Sequence, residues 1–321
     1  MKPLFVLLAY IADQLWGDPQ VFWHPVRLIG LGAERLRPFC YPFKRWGGLL
    51  IVFISGAVSL ILVSLAVLIF SPAEIFFLYF GIAEKSLRKE VEKVGHFLKE
   101  GLIERARKQL SYLVGRETKD LSVSECIRAA VETTAENFTD AFVGPLFWYL
   151  VGGILGLSFY KVVETLDSMY GYKTPKWKEF GFFPAKLDDI LNFFPARIAG
   201  FFLALAALFE NRHNFERSFR TMIKDARKHD SPNSGFTEAA MAGALGIELG
   251  GAVVYQGRLF EKGRFGRPLR AREVEDIFRA TKLLRRAASL WLFFILLSEV
   301  ILWRSGYPHL IELITNVLKG G

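Results

Sequence analysis

The sequence predicts an all-α, polytopic helical membrane protein, and three observations predict it. Of 321 residues, 52% are hydrophobic and 30 are Phe, and the mean hydropathy is +0.26, which is unlike an ordinary soluble domain. Leu49 to Phe70 is an uncharged run of 22 residues, about 33 Å long as a helix, which matches the hydrocarbon thickness of a bilayer. The basic residues are segregated: 16 Lys and Arg lie between Arg212 and Arg286, and Arg27, Arg35, Arg37, Lys44 and Arg45 lie between Gly17 and Gly48. Such loops stay on the cytoplasmic side of an inner membrane. The net charge of +9 is therefore a matter of topology, and no nucleic-acid module is visible. Two cysteines, Cys40 and Cys126, exclude a disulfide framework and speak against a zinc site.

Taken in order, Pro3 to Ala12 is apolar, follows one basic residue, lacks a small-residue cleavage site and leads into Asp13 and Asp18. It is expected to be a retained helix rather than a signal peptide. After the span at Leu49 to Phe70, Ser71-Pro72-Ala73-Glu74 has the form of a capping box with proline at the first helical position, so the chain should turn back there. That helix is apolar to Ala83 and charged from Glu84 to Lys99. Leu87, Val91, Val94 and Leu98 share one stripe, so it should leave the membrane as an amphipathic helix. A second capping box, Ser122-x-x-Glu125, opens a helix on which Glu125, Arg128, Glu132, Glu136 and Asp140 recur every three or four residues. Its acidic face is either a solvated surface or one that a cation offsets.

Ala141 to Tyr160 is uncharged, but Gly144, Pro145, Gly152, Gly153 and Gly156 point to a broken or re-entrant helix buried in protein. Ile198 to Phe209 and Ala287 to Trp303 are two further expected spans, one beside Arg197 and one containing Glu299. This gives one integral membrane domain over 1–321, made of N-terminal helices (1–83), a cytosolic helical segment (84–140), a central core (141–286) and a C-terminal membrane helix (287–321).

The segment from Asp225 to Gly251 places Lys224, Arg227, Lys228 and His229 ahead of a Ser-Pro-Asn-Ser-Gly turn, then a helix of small residues. Unpaired N–H groups at that helix start suit a phosphate or carboxylate. The alternative is an N-cap by Ser234 beside a solvated basic face. Ala239, Ala242, Gly243, Gly246 and Gly250 allow close helix packing.

Four blocks resemble those of the CbiB/CobD-type adenosylcobinamide-phosphate synthases, membrane enzymes of cobalamin biosynthesis. The first is Asp13, Gly17-Asp18-Pro19, His24-Pro25 and Gly30; the second is Glu136-Asn137, Asp140 and Pro145-Leu146-Phe147. The third holds Thr165 to Met169, Gly171-Tyr172, Phe180-Gly181, Leu187-Asp188-Asp189, Asn192 and Pro195-Ala196-Arg197; the fourth is Ser231 to Gly235. Lys186 stands where the family pattern has Arg, keeping the charge without the bidentate fork.

The resemblance implies an ATP- and magnesium-dependent ligase joining adenosylcobyric acid to (R)-1-aminopropan-2-ol or its O-phosphate. It also implies work beside other late cobalamin-pathway membrane enzymes, at an active site facing the cytoplasm. Asp188 and Asp189 are then candidate Mg2+ ligands, with Asp167 as a third carboxylate; Asp188 is otherwise an N-cap of the following helix. Glu136, Asp140 and Asp167 are candidate catalytic groups. Lys186, Arg197, Lys228, His229, Ser231, Asn233, Ser234 and Gly235 are expected to hold ATP or another phosphate. Asp13, Asp18, His24, Asn137 and Asn192 are expected to orient the substrate, although His24 before Pro25 also suits a capped turn. Because ATP is cytosolic, the Asp167 to Asn192 segment and the Ser231 loop are expected on one side of the membrane, so Ala141 to Tyr160 and Phe193 to Phe209 are expected to be re-entrant or deeply buried helices that return to the same side rather than crossings. An AmpE-like membrane regulator and a transporter are the competing classes.

Overall fold

The apolar runs become helices because a bilayer leaves no other partner for their backbone polar groups. In the computed structural model, residues 2–19, 21–172, 174–255 and 257–306 are described. The end of the expected C-terminal helix, 307–321, lies outside them. Helix α1 (Lys2–Trp16) carries buried Asp13 near its end. Helix α2 (Pro25–Cys40) starts with Pro25 at its first position, and the His24 ring accepts the Val26 N–H at 3.2 Å. Helix α3 (Lys44–Ile69) contains the uncharged run and exposes Phe53, Ile61, Leu62, Leu65 and Ile69, as a lipid-facing helix does.

Helix α4 (Ala73–Gly81) corrects the first expected capping box. Pro72 is the N-cap and makes no side-chain cap bond. Glu74 turns inward instead, where Lys2 Nζ donates to it at 2.6 Å and Tyr149 Oη at 2.8 Å. A buried carboxylate gains more from a cation than from a frayed helix end. Nor does the apolar helix run on into the charged one. Ile82 is extended (φ −116°, ψ 148°), and α5 (Glu84–Lys99) begins anew, burying Val91, Val94 and Leu98.

Helix α6 (Ile103–Ser111) packs on α5. Helix α7 (Val123–Phe138) opens with the second capping box fully formed. A π-helical turn at Thr139–Val143 joins it to α8 (Gly144–Tyr170), which leaves helical geometry at Gly153 (φ 61°), inside the stretch expected to be broken. Helices α9 (Phe182–Leu191) and α10 (Phe193–Ala207) are separated by Asn192, α11 (Arg212–Asp225) is capped by the Asn211 side chain, and α12 is Ser234–Leu245.

The small-residue helix does not continue to Gly250. Gly246 takes a left-handed φ of 67°, and the N–H groups of Gly246 and Ile247 both return to Ala242 O, a C-terminal stop of the kind glycine permits. An antiparallel hairpin that the sequence reading lacked follows, β1 (Leu249–Tyr255) and β2 (Arg258–Phe265), with an irregularity between Gly250 and Ala252. Helix α13 (Glu275–Ser305) closes the described chain.

Packing divides the described residues into two units: 2–83, Gly144–Asn192 and 293–306; and Glu84–Val143 with Phe193–Leu292. In the first, Ile51, Val52, Tyr160, Val163, Leu166, Tyr170 and Phe180 form a core cluster. In the second, α11 and α10 pack on α12, whose Ala239, Ala240, Met241 and Ala242 are fully buried. Among the described residues, Pro25–Ile69, Val123–Tyr170 and Glu275–Ser305 are long and apolar enough to cross a membrane. The pair α9 and α10 passes the same test as one broken span. The protein is an all-α polytopic membrane protein with one small hairpin.

Candidate functional site

The expected site residues fall into two constellations, one in each unit. In the second unit, α7 presents Glu136 to the start of α12, where Ser234 Oγ donates to Glu136 Oε1 at 3.0 Å. Ser234 is therefore no N-cap. Ser231 does the local work: its hydroxyl accepts the N–H groups of Asn233 and Ser234 at 3.3 Å each, which closes the loop. Arg197 on α10 lies 3.4 Å from Asn233 Oδ1, with its guanidinium over the rings of Phe193 (3.5 Å) and Phe236 (4.2 Å). That stacking fixes a long, mobile side chain in one direction. Arg227 is exposed and near enough to Arg197 to act on its charge. Gly235 has a steric reason: a Cβ there would stand 2.0 Å from Ala226 O and 2.8 Å from His229 Cβ.

Beneath the loop, His229 Nδ1 accepts the Ser231 N–H at 2.8 Å, and Nε2 faces Glu238 Oε1 at 3.4 Å. The pair is buried. Burial pushes the Glu238 carboxyl up to about 7; Glu132 and Glu136 add to that, and His229 works against it. Burial also opposes charge on His229, but Glu238 and then Glu136 outweigh it and hold the imidazole above its ordinary value. Glu238 was missed in the sequence, although it is the one charged side chain on a helix of small and apolar residues.

Two expected members are directed elsewhere. Lys228 Nζ pairs with Asp225 Oδ1 at 2.7 Å and reaches Arg264 O at 3.3 Å, so it braces the hairpin. Asn137 donates to Thr133 O (2.9 Å) and Oγ1 (2.7 Å) within its own helix. Asp140 lies in the π-helical turn after α7. Of the rest of the acidic face, Glu125 serves the cap. Glu132 is a strut, paired with Arg116 and accepting the Gly250 N–H of β1 at 2.7 Å.

In the first unit, Asp167 lies in the last turn of α8, which holds no basic residue. A carboxylate there opposes the helix dipole. Asp189 and Glu164 are close enough to act on its charge, and a Cβ on Gly171 would strike Asp167 Oδ1 at 1.9 Å. On α9, Asp188 accepts Asn192 Nδ2 on both oxygens (3.2 and 3.1 Å), and Tyr160 Oη donates to Asn192 Oδ1 at 2.9 Å. The N-cap alternative for Asp188 is excluded, because Asp188 sits inside the last turn of α9 and the following helix begins only at Phe193. Lys186 Nζ stands 3.4 Å from Asp189 Oδ2.

Among the described residues no group of three or more His, Cys, Asp or Glu is arranged to hold a metal ion. Asp167 with Asp189 still fits Mg2+, which is commonly held by one or two carboxylates, water and substrate phosphates. In the same unit, His24 Nε2 meets Asp18 Oδ1 at 2.7 Å while its other nitrogen caps α2, so the capped-turn alternative is the one observed. Gln14 Nε2 donates to buried Asp13 Oδ2 at 3.0 Å.

Residues 6–284 match the CobD/Cbib protein family. "Cobalamin biosynthesis protein CobD" of Clostridium perfringens is 40% identical over 92% of this chain and 98% of its own length. The proteins of the same description from Streptococcus sanguinis (39%, covering 88% and 93%) and Leptospira interrogans (37%, covering 92% and 97%) are also similar. No solved structure matches.

Proposed function

The chain belongs to the CobD/Cbib family of cobalamin biosynthesis proteins, and from that premise we propose that it is an ATP-dependent acid–amine ligase. In this reading it joins adenosylcobyric acid to (R)-1-aminopropan-2-ol or its O-phosphate at an inner membrane, with the site facing the cytoplasm. The observation that carries the reading is the 3.0 Å bond from Ser234 to Glu136, which unites two motifs 98 residues apart in the sequence.

The chemistry needs activation, because a carboxylate is a poor acyl donor. Its oxygen attacks the γ-phosphorus of ATP, the bond to ADP breaks, and an acyl phosphate forms. The amine nitrogen then attacks the acyl carbon, phosphate leaves with the C–O electron pair, and the amine proton passes to a base. Ser231, Ser234 and the first N–H groups of α12 would cradle phosphate oxygens, with Arg197 and Arg227 supplying charge. Glu136, in contact with Ser234, is the candidate base, with Asp140 one turn further along. In the other unit Asp167 and Asp189 would hold Mg2+, and Asn192 would orient Asp188 beside them. When bound, Mg2+ would supply positive charge to phosphate oxygens.

The test is direct. Purified protein given adenosylcobyric acid, aminopropanol phosphate, ATP and Mg2+ should form the amide with one ADP released per bond. ATP turnover without amide, or no product with either form of the amine, overturns the proposal.

A further inference from the structure

The second unit holds a cavity of about 430 Å³ whose walls include Glu210, Arg217, Leu269, Arg270, Arg279 and Lys282. None of these belongs to the four sequence blocks. Two of its arginines serve the fold: Arg217 donates to Ala244 O at 2.9 Å and Arg270 to Leu245 O at 3.1 Å, satisfying carbonyls at the end of α12. The surrounding charge does not cancel. Asp276 binds Arg270 and takes Arg279 at 3.1 Å, Glu273 faces Arg279 at 3.7 Å, and Glu210 pairs with Arg286 and faces Lys282 at 3.8 Å. Arg217, Arg270, Arg279, Lys282 and Arg286 are thus five cations against three carboxylates, which leaves two positive charges. Arg279 and Lys282 have side chains 51% and 62% exposed, so this excess is open to an incoming anion.

The cavity's place on the chain says which anion. Arg286 is the last charged residue of α13 before Glu299, so the helix becomes a membrane span directly after the basic group. Apolar α10 ends at Ala207 on the cavity wall, and exposed Leu208 and Phe209 follow, with Arg286 6.0 Å from the Phe209 ring. Basic residues beside apolar ones at the end of a span mark the level of lipid headgroups.

We propose that this cavity binds the phosphate of an anionic phospholipid headgroup, with acyl chain lying along Leu208 and Phe209. A zwitterionic headgroup brings an ammonium into a net positive cavity and is disfavoured. Inorganic phosphate or ATP offers the same phosphate chemistry without the acyl contact.

Full-length protein in mixed micelles containing dioleoylphosphatidylglycerol or dioleoylphosphatidylcholine distinguishes these cases, with lipid retention read by native mass spectrometry and the unfolding midpoint read in parallel. The phosphatidylglycerol should be retained and should raise the midpoint, and the phosphatidylcholine should do neither. Each charge removed near a membrane surface changes affinity about fivefold, so Arg279→Gln with Lys282→Gln should lower retention about 30-fold. Glu210→Gln should raise it, a gain that misfolding cannot mimic. Neutralising exposed Arg220 and Lys224 on α11 should leave retention unchanged. Wild-type retention in the Arg279/Lys282 variant overturns the site. Full displacement of phosphatidylglycerol by millimolar inorganic phosphate or ATP overturns the lipid assignment and gives the cavity a soluble phosphate ligand.

Discussion

The carboxylates of α8 and α9 and the loop ahead of α12 gather residues of the same sequence blocks by opposite means. Around Asp167 carboxylates outnumber cations: Asp189 and Glu164 are its electrostatic neighbours, Lys186 and Lys161 pair with those two neighbours, and α8 ends without a basic residue. Around Ser234 both signs are present and bonded, with Ser231 closing the loop, Arg197 stacked on two rings and His229 set against Glu238. The first arrangement gathers more carboxylates than cations, whereas the second is held by bonded partners of both signs.

The largest effect should come from the carboxylate-rich region. Asp189→Asn removes one of the two carboxylates assigned to Mg2+ and should lower turnover by at least ~100-fold at fixed Mg2+, with partial recovery at high Mg2+. The unfolding midpoint should stay the same or rise, because one member of a like-charge group is gone. Unchanged Mg2+ dependence in both Asp167→Asn and Asp189→Asn would leave the comparison without its first half.

The two glycines sharpen the contrast. At Gly235 an added Cβ meets backbone, Ala226 O at 2.0 Å, and at Gly171 its nearest obstacle is the carboxylate of Asp167 at 1.9 Å. Gly235→Ala must move a helix start and should destabilise by about 3 kcal/mol, seen as a lower unfolding midpoint and a higher KM for ATP. Gly171→Ala should displace a carboxylate and act chiefly on the Mg2+ requirement. Equal losses of stability in the two variants would erase the distinction.

The difference also governs what the sequence made legible. Helix start signals that act locally were readable where nothing competed, as at Ser122 and Glu125. They failed at Glu74, whose carboxylate is taken by Lys2 and Tyr149, the latter 75 residues away. The Ser231 to Gly235 loop was legible because Pro232 and Gly235 announce a turn. The internal role of Ser231 and the burial of Glu238 were not, since both depend on His229 and the packing of α12. The hairpin escaped because it is short and follows a run of small residues that reads as helix through Gly250, although the helix stops at Gly246. On the carboxylate side, Asp188 and Asp189 were visible as a pair, but their different partners, Asn192 for one and Lys186 for the other, are set by a helix phase that adjacency alone does not give.

The smallest effect concerns the bonded region and its response to pH. Glu238 titrates near 7 in the folded protein instead of in the ordinary carboxylate range, and His229 is held above its ordinary value. The Glu238 shift means that the folded state binds more protons than the unfolded state between about pH 4.5 and 7, and the His229 shift does the same above pH 6.5, so stability falls as pH rises through both windows. At its upper end Glu238 ionises within reach of Glu132 and Glu136, and the pairing with His229 fades as the imidazole loses its proton. In detergent-solubilised protein the unfolding midpoint should therefore decline from about pH 5 to pH 8. Glu238→Gln removes the titrating acid while keeping a side chain that can meet His229 Nε2, and it should flatten the decline without abolishing folding. An equal slope in wild type and Glu238→Gln would mean that the buried pair holds no proton that the unfolded chain gives up, and that Glu238 is only a packing group beneath the loop.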